Sequence, residues 1–259
     1  MTRALVVLSL AASVLSACSY QLFAPPARMV TLESARTAAP GETIVGARAA
    51  GYSAVFDPAV GVVSGGVKRG VAEQVEVSAD ATWGHLVYDG FPDIDRNIYA
   101  ARVGGKVSNA GAWAAFFAGV GGGVAPAAGG FSAADVGAVL SYPRWLIVPF
   151  LNLTGFASTP IGAKQVDFRN PDGTLAATDR AQTTVGLGAG TGIEIPLDWE
   201  RHRQGRIAPH IQLGLALNTL FRTDGRVTTT TTSNGMTTTT TRDGKHVVLG
   251  GAVGLEWPF

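Results

Sequence analysis

The chain has 259 residues, 46% of them hydrophobic and 15% charged, against about 25% charged in an ordinary soluble domain. Its 34 glycines are roughly twice the usual share; 20 Lys+Arg stand against 19 Asp+Glu, and there is one cysteine. This composition excludes a disordered tail and a disulfide scaffold, and it argues against a nucleic-acid partner, which needs a basic patch. A soluble β-rich protein or a membrane protein remains.

The first segment reads as an export signal: Arg3, an apolar run from Ala4 to Val14, then small residues up to Cys18. The run is too short to span a bilayer as a helix. Leu15-Ser16-Ala17-Cys18 resembles the lipobox of bacterial lipoproteins. That resemblance implies a signal peptide over 1–17, lipidation of Cys18 on its thiol and amine, and handling by the lipoprotein-sorting machinery. Ser19, next to the cysteine, implies transfer to the outer membrane. Residues 18–41 hold Pro25, Pro26 and Pro40 and show no clean periodicity, so they read as a tether. Met29 to Leu32 reads as a short strand or a docking peptide.

Residues 42–259 carry a period of two. Two uncharged stretches, Ser108–Ala134 and Trp145–Ala163, are too rich in Gly and Pro for helices and fit strands between turns. Elsewhere Val75, Val77, Ala79, Ala81 and Trp83 alternate with Glu76, Ser78, Asp80 and Thr82. Val185, Leu187 and Ile193 alternate with glycines, and Leu249, Val253, Leu255 and Trp257 with Gly250, Ala252, Gly254 and Glu256. Such alternation over about ten residues, with a broad apolar face, is what a transmembrane β-strand requires.

The reading is ten strands, near 43–55, 59–69, 71–83, 97–107, 112–124, 132–142, 145–157, 182–195, 207–223 and 245–259. Turns fall at Gly70, Ser108–Gly111, Pro143–Arg144 and Pro196–Arg206 on one side. Loops 56–58, 84–96, 125–131, 158–181 and 224–244 fall on the other. Short inner turns and long outer loops are the asymmetry expected of outer-membrane barrels. An even count returns the C-terminus to the periplasmic side, the side expected for the anchor. Trp83, Trp113, Trp145, Trp199 and Trp257, with Phe56, Tyr99, Tyr142, Phe156 and Phe221, fall at strand ends as an aromatic girdle.

The last strand, with Trp257 and terminal Phe259 on one face, resembles the C-terminal targeting strand of outer-membrane β-barrel proteins. The resemblance implies recognition by the β-barrel assembly machinery. Thr228–Thr232 and Thr237–Thr241 flank Asn234-Gly235, a preferred hairpin turn. That register pairs Arg226 with Asp243 and Asp224 with Lys245, and a one-residue bulge near Gly225 and Gly244 must join it to the barrel below.

Inside, Gly186, Gly188, Gly190, Gly192, Gly214, Ala216, Gly250, Ala252 and Gly254 form a nearly bare wall. It leaves room for water, a ligand or the tether folded back, or it reflects strand curvature, the reading favoured slightly. Glu76, Asp80, Arg102 and Lys106 point inward as a lumenal charge network, Arg102 diagonal to both acids, with a solute-selecting constriction as the other reading. His85 neighbours Asp89, Asp93 and Asp95, a solvated acidic loop rather than a catalytic group. No metal spacing or phosphate loop appears.

The sequence therefore predicts an all-β, transmembrane, antiparallel up-and-down β-barrel of about ten strands, preceded by a lipoprotein signal peptide and short tether. The expected function is that of a lipid-anchored, non-enzymatic envelope component. The expected location is the outer membrane, with both termini periplasmic. It needs no cofactor beyond the lipid on Cys18. Its partners are outer-membrane lipid, the two machineries named above and a surface ligand or envelope protein, with no nucleic acid. A narrow pore and a periplasmic lipocalin-like ligand carrier are the alternatives.

Overall fold

The computed structural model describes residues 22–54, 57–87, 95–144, 146–169, 173–233 and 236–259. Cys18 and its lipobox, Phe56, Asp89, Asp93, Trp145 and the Asn234-Gly235 turn lie outside the described residues.

Ten antiparallel strands close into a barrel, with a separate two-stranded hairpin at one end. The barrel strands are β1 (Thr43–Ala54), β2 (Asp57–Ala72), β3 (Val75–Val87), β4 (Asn97–Ser108), β5 (Ala114–Ala125), β6 (Gly129–Ser141), β7 (Val148–Ile161), β10 (Thr184–Pro196), β11 (His210–Ser233) and β12 (Met236–Pro258). Each pairs with its neighbours in sequence order, and β1 closes on β12 from Ile44 opposite Pro258 to Ala54 opposite Val248. Strands β8 (Gln165–Arg169) and β9 (Leu175–Arg180) form the hairpin, inside a stretch expected to be open loop. The turn between β10 and β11 holds one short helix, α1 (Trp199–Arg203), whose cap Asp198 accepts from the Arg201 N–H at 3.0 Å.

The alternation decides which side chains face out. Val103, Phe116, Val120, Val136, Leu187 and Leu215 belong to a belt of exposed large apolar residues that runs around the wall. Their sequence neighbours Arg102, Ala115, Asp135 and Gly214 face inward. On β4, Tyr99 to Val107 rises about 27 Å along the strand, or roughly 20 Å along the barrel axis at the usual tilt.

The barrel has two unlike ends. At the terminal end Thr43 pairs through its backbone with Phe259, and the turns 73–74, 109–113, 142–147 and 197–209 lie here. The long-loop end carries the 88–96 and 162–183 connections and the threonine hairpin.

Two expected details are corrected. The β2–β3 turn is at Glu73–Gln74, with Gln74 in the left-handed region at φ 63°, and not at Gly70. Gly70 stays in β2 because another chain crosses it, as described below. In the threonine hairpin Arg226 pairs with Asp243, but Lys245 pairs with Phe221 and not with Asp224. Residues 222–225 stand opposite Gly244 alone, so the irregularity inserts three residues, not one. At this point Arg222 faces into the barrel, still in register with Thr184, and pairs with Asp224 at 2.6 Å and Asp179 at 2.5 Å.

Candidate functional site

The lumen is occupied by the chain's own N-terminal segment. Residues 22–41, within the span expected to be a tether, run through it from the long-loop end to the terminal end. At the first end Phe23 bridges Gln182, and the Leu22 N–H donates to Asp179 at 2.7 Å. At the other, Pro40 bridges Gly70, the Gly41 N–H donates to the Gly70 carbonyl at 2.9 Å and the Gly70 N–H donates to the Glu42 carbonyl at 3.0 Å. A Cβ at Gly70 would overlap the Ala39 carbonyl. The glycine is there for close approach, which explains the misread turn. Described from Leu22, the segment starts at the end of the barrel opposite Phe259.

A chain without strand partners must satisfy its backbone some other way. Here the inward side chains of the wall do it. The Ala24, Ala35 and Ala38 N–H groups donate to Thr184 Oγ1 (3.0 Å), Ser141 Oγ (3.1 Å) and Glu76 Oε2 (3.0 Å). The carbonyls of Pro25, Met29 and Thr31 accept from Ser158 (2.7 Å), Tyr52 (2.5 Å) and Asn152 (3.1 Å). Val30, Leu32 and Ala35 pack with Val62, Phe117, Val139 and Phe150 of the wall. Leu32 rests on Gly214. Of the bare wall of β10–β12, Gly214 is thus room for the folded-back segment, while Gly186, Gly188, Gly192 and Gly250 lie under Phe156, Asn218, Phe150 and Tyr52 of the wall, and Gly254 under Gln212 and Arg48.

Charge follows the same division of labour. Glu76 lies directly opposite Lys106, and Asp80 opposite Arg102, so Arg102 is not diagonal to the two acids. Lys106 reaches Glu76 at 3.0 Å; Arg102 reaches Asp80 at 3.6 Å and Asp135 at 2.6 Å. A Cβ at Gly119 would collide with the Arg102 guanidinium, which lies across that strand.

The four predicted residues are part of a larger array. Arg48 pairs with Glu256 (2.5 Å) and Asp80 (3.4 Å); Lys68 pairs with Glu256 (2.7 Å). From the internal segment, Glu33 meets Arg28 (2.7 Å), Lys106 (3.4 Å) and Lys68 (3.6 Å), while Arg36 meets Glu194 (2.9 Å). In these pairs the wall supplies five carboxylates and four Lys or Arg, and the segment supplies Arg28, Arg36 and Glu33. The wall is one negative charge over and the segment one positive charge over. Sequence reasoning missed Arg28, Glu33 and Arg36. The available signal was three buried-type charges in an otherwise small and apolar stretch.

Above this array, toward the long-loop end, the lumen opens into a cavity of about 390 Å³. Its lining includes Phe23, Met29, Tyr52, Phe156, Gly190 and Ala216. Phe156 was expected in the outer aromatic girdle; it faces inward, opposite Gly186. Of the other girdle residues, Trp83, Trp113, Tyr99, Tyr142 and Trp257 are exposed, and Trp199 sits in α1 with its ring stacked on His202 at 5.1 Å. Trp257 and Phe259 end the wall on its outer face, Phe259 being 74% exposed.

The histidines are dispersed. His85 is 3.1 Å from Asn97, His202 is 3.2 Å from Arg36, His210 lies between Glu194 and Glu256, and His246 lies against Phe23. Among the described residues no three His, Cys, Asp or Glu side chains gather as a metal site.

No family model matches the chain, and no curated protein does. Among solved structures it is similar to the β domain of the Bordetella autotransporter BrkA, with 14% identity, TM-score 0.41, 85% of this chain and 100% of that one covered. It is also similar to Neisserial surface protein A (12%, 0.31, 83% and 95%) and to the outer membrane protein OprG from Pseudomonas aeruginosa (9%, 0.34, 87% and 99%). At these identities no residue's role passes from them to this chain.

Proposed function

We propose that this chain is a lipid-anchored, integral outer-membrane β-barrel, closed by its own N-terminal segment, that serves as a non-enzymatic envelope component through its long-loop end. The observation that carries the reading is inverted polarity. Large apolar side chains cover the outside, and an ion-pair array fills the terminal half of the inside. In water such a belt far exceeds the few hundred Å² of contiguous apolar surface a monomer exposes. In a bilayer it is the required surface, and barrel closure leaves no backbone edge in lipid. A lipocalin has the opposite arrangement, apolar within and polar without, which weighs against the periplasmic carrier. The internal segment weighs against a standing pore.

The long-loop end is taken as external, following the usual asymmetry of such barrels. Lipidation of Cys18 then has a consequence. Four residues reach at most about 14 Å from Leu22, so the acyl chains would sit at the long-loop end of the barrel, across from the C-terminus.

The test is full-length protein reconstituted in a planar bilayer, with insertion verified by heat-modifiable migration. Resistance to alkaline extraction together with absence of discrete conductance steps is the expected result. Release into the aqueous phase, or steady single-channel steps, would overturn the membrane reading and the closed lumen respectively. Orientation is read separately: Leu22→Cys should react with an impermeant maleimide in intact cells, and Glu73→Cys, in the exposed β2–β3 turn, only after permeabilisation.

A further inference from the structure

The cavity in the long-loop half of the lumen has a chemistry of its own. Its sides are apolar and aromatic: Phe23 and Met29 from the internal segment, Tyr52, Val60 and Phe156 from the wall. Glycine and alanine on β10 and β11 keep it open. At about 30 Å³ per water-sized group, 390 Å³ holds about thirteen non-hydrogen atoms. That is at the small end of ligand pockets.

Two polar side chains in the lining are nearly buried and lack a partner on one atom each. Arg28 is 7% exposed at its side chain; it pairs with Glu33 and lies 5.0 Å over the Phe117 ring, yet its Nε–H has no acceptor. Asn152 is 1% exposed; its Nδ2 donates to the Thr31 carbonyl, which leaves Oδ1 facing no donor. Buried donors and acceptors are nearly always satisfied, and an orphan keeps its desolvation penalty uncompensated. The lining is mostly apolar but also carries Asn97, Asn218, His246 and the oppositely charged Asp95 and Arg96; at the two orphans it asks for a group that both accepts and donates.

The neighbouring charges limit what that group is. The ion pairs below contain six carboxylates and six Lys or Arg, with His210 between Glu194 and Glu256, and the cavity lining adds one acid and one arginine, Asp95 and Arg96. A ligand carboxylate would add an uncompensated charge to a desolvated site, and an amine would do the same with the opposite sign.

We propose that this cavity binds a small uncharged amphiphile: an apolar body of about ten carbons with a hydroxyl or amide head directed at Arg28 and Asn152. The internal segment forms the floor, so the ligand enters and leaves by the long-loop end and does not pass through the barrel. This inference stands independently of the membrane reading, since it needs only the lumen.

The test is saturable binding of tritiated decan-1-ol to full-length protein in lipid nanodiscs, with empty nanodiscs as the baseline. One site per barrel is expected, displaced by unlabelled decan-1-ol or decanamide and at least tenfold less well by decanoate at pH 8. Ala216→Phe fills the cavity and should weaken binding at least tenfold; Val248→Phe, on the next strand, does the same if the first variant fails to fold by circular dichroism. Leu217→Ala, on the outer face, should leave binding unchanged. Asn152→Leu should abolish the preference for decan-1-ol over n-decane. No saturable component above empty nanodiscs, equal displacement by decanoate, or binding unaffected in both cavity-filling variants would overturn the proposal.

Discussion

The two halves of the lumen share one wall and one internal segment, and they are built oppositely. In the terminal half the segment contributes Glu33, Arg36 and Leu32, the wall contributes Lys106, Lys68 and Glu194, and the space is packed. In the long-loop half the segment contributes Pro25, Pro26 and Met29, the wall contributes Gly190 and Ala216, and about 390 Å³ stays open. The difference teaches that a bare inward face has no meaning by itself. Gly214 is a seat for Leu32, whereas Gly190, two residues from Gly214's partner Gly192, borders a cavity.

The largest effect should come from breaking the packed half. Glu33→Gln leaves Arg28, Lys68 and Lys106 without their shared carboxylate. Removing one member of a buried pair costs about 3–5 kcal/mol, read as a fall in the urea midpoint of the heat-modifiable form. Phe23→Ala, in the open half, should cost less than about 2 kcal/mol in the same assay, because a side chain bordering a cavity gives up fewer contacts. Equal losses would mean that the two halves are not energetically distinct.

An intermediate effect is expected from overpacking. Gly119→Val drives a side chain into the Arg102 guanidinium and should cost about 1–3 kcal/mol. Ala216→Val, into open space, should stay within about 0.5 kcal/mol of wild type. The smallest effect belongs to the threonine hairpin. Its register is separated from the barrel by the irregularity at 222–225, so deleting 226–243 should change the unfolding free energy measured in urea by less than about 0.5 kcal/mol. A larger shift would make the hairpin part of the barrel's cooperative unit.

The strands were legible because the signal is local. Val103 out and Arg102 in need only a period of two and an apolar medium, and the same rule serves all ten strands. Gly70 and Phe156 were misread because their neighbours are distant in sequence: Gly70 is crossed by Ala39, and Phe156 faces Gly186 across the wall. The network residues Glu76, Asp80, Arg102 and Lys106 were legible as inward-facing for the same reason as the strands. Their pairing with Glu33, Asp135 and Arg48 was not legible, since ion pairs carry no periodicity.

The sequence by itself determined the barrel: the number of strands, their order, which face of each is apolar, and the end on which the long connections fall. Those are consequences of side-chain alternation and turn chemistry, which act between near neighbours. Only the tertiary structure decided what fills it. Residues 22–41 have no strand or helix period, because their backbone groups are satisfied by side chains of other strands, from Tyr52 on β1 to Thr184 on β10. Such a segment acquires its conformation only from the enclosure around it.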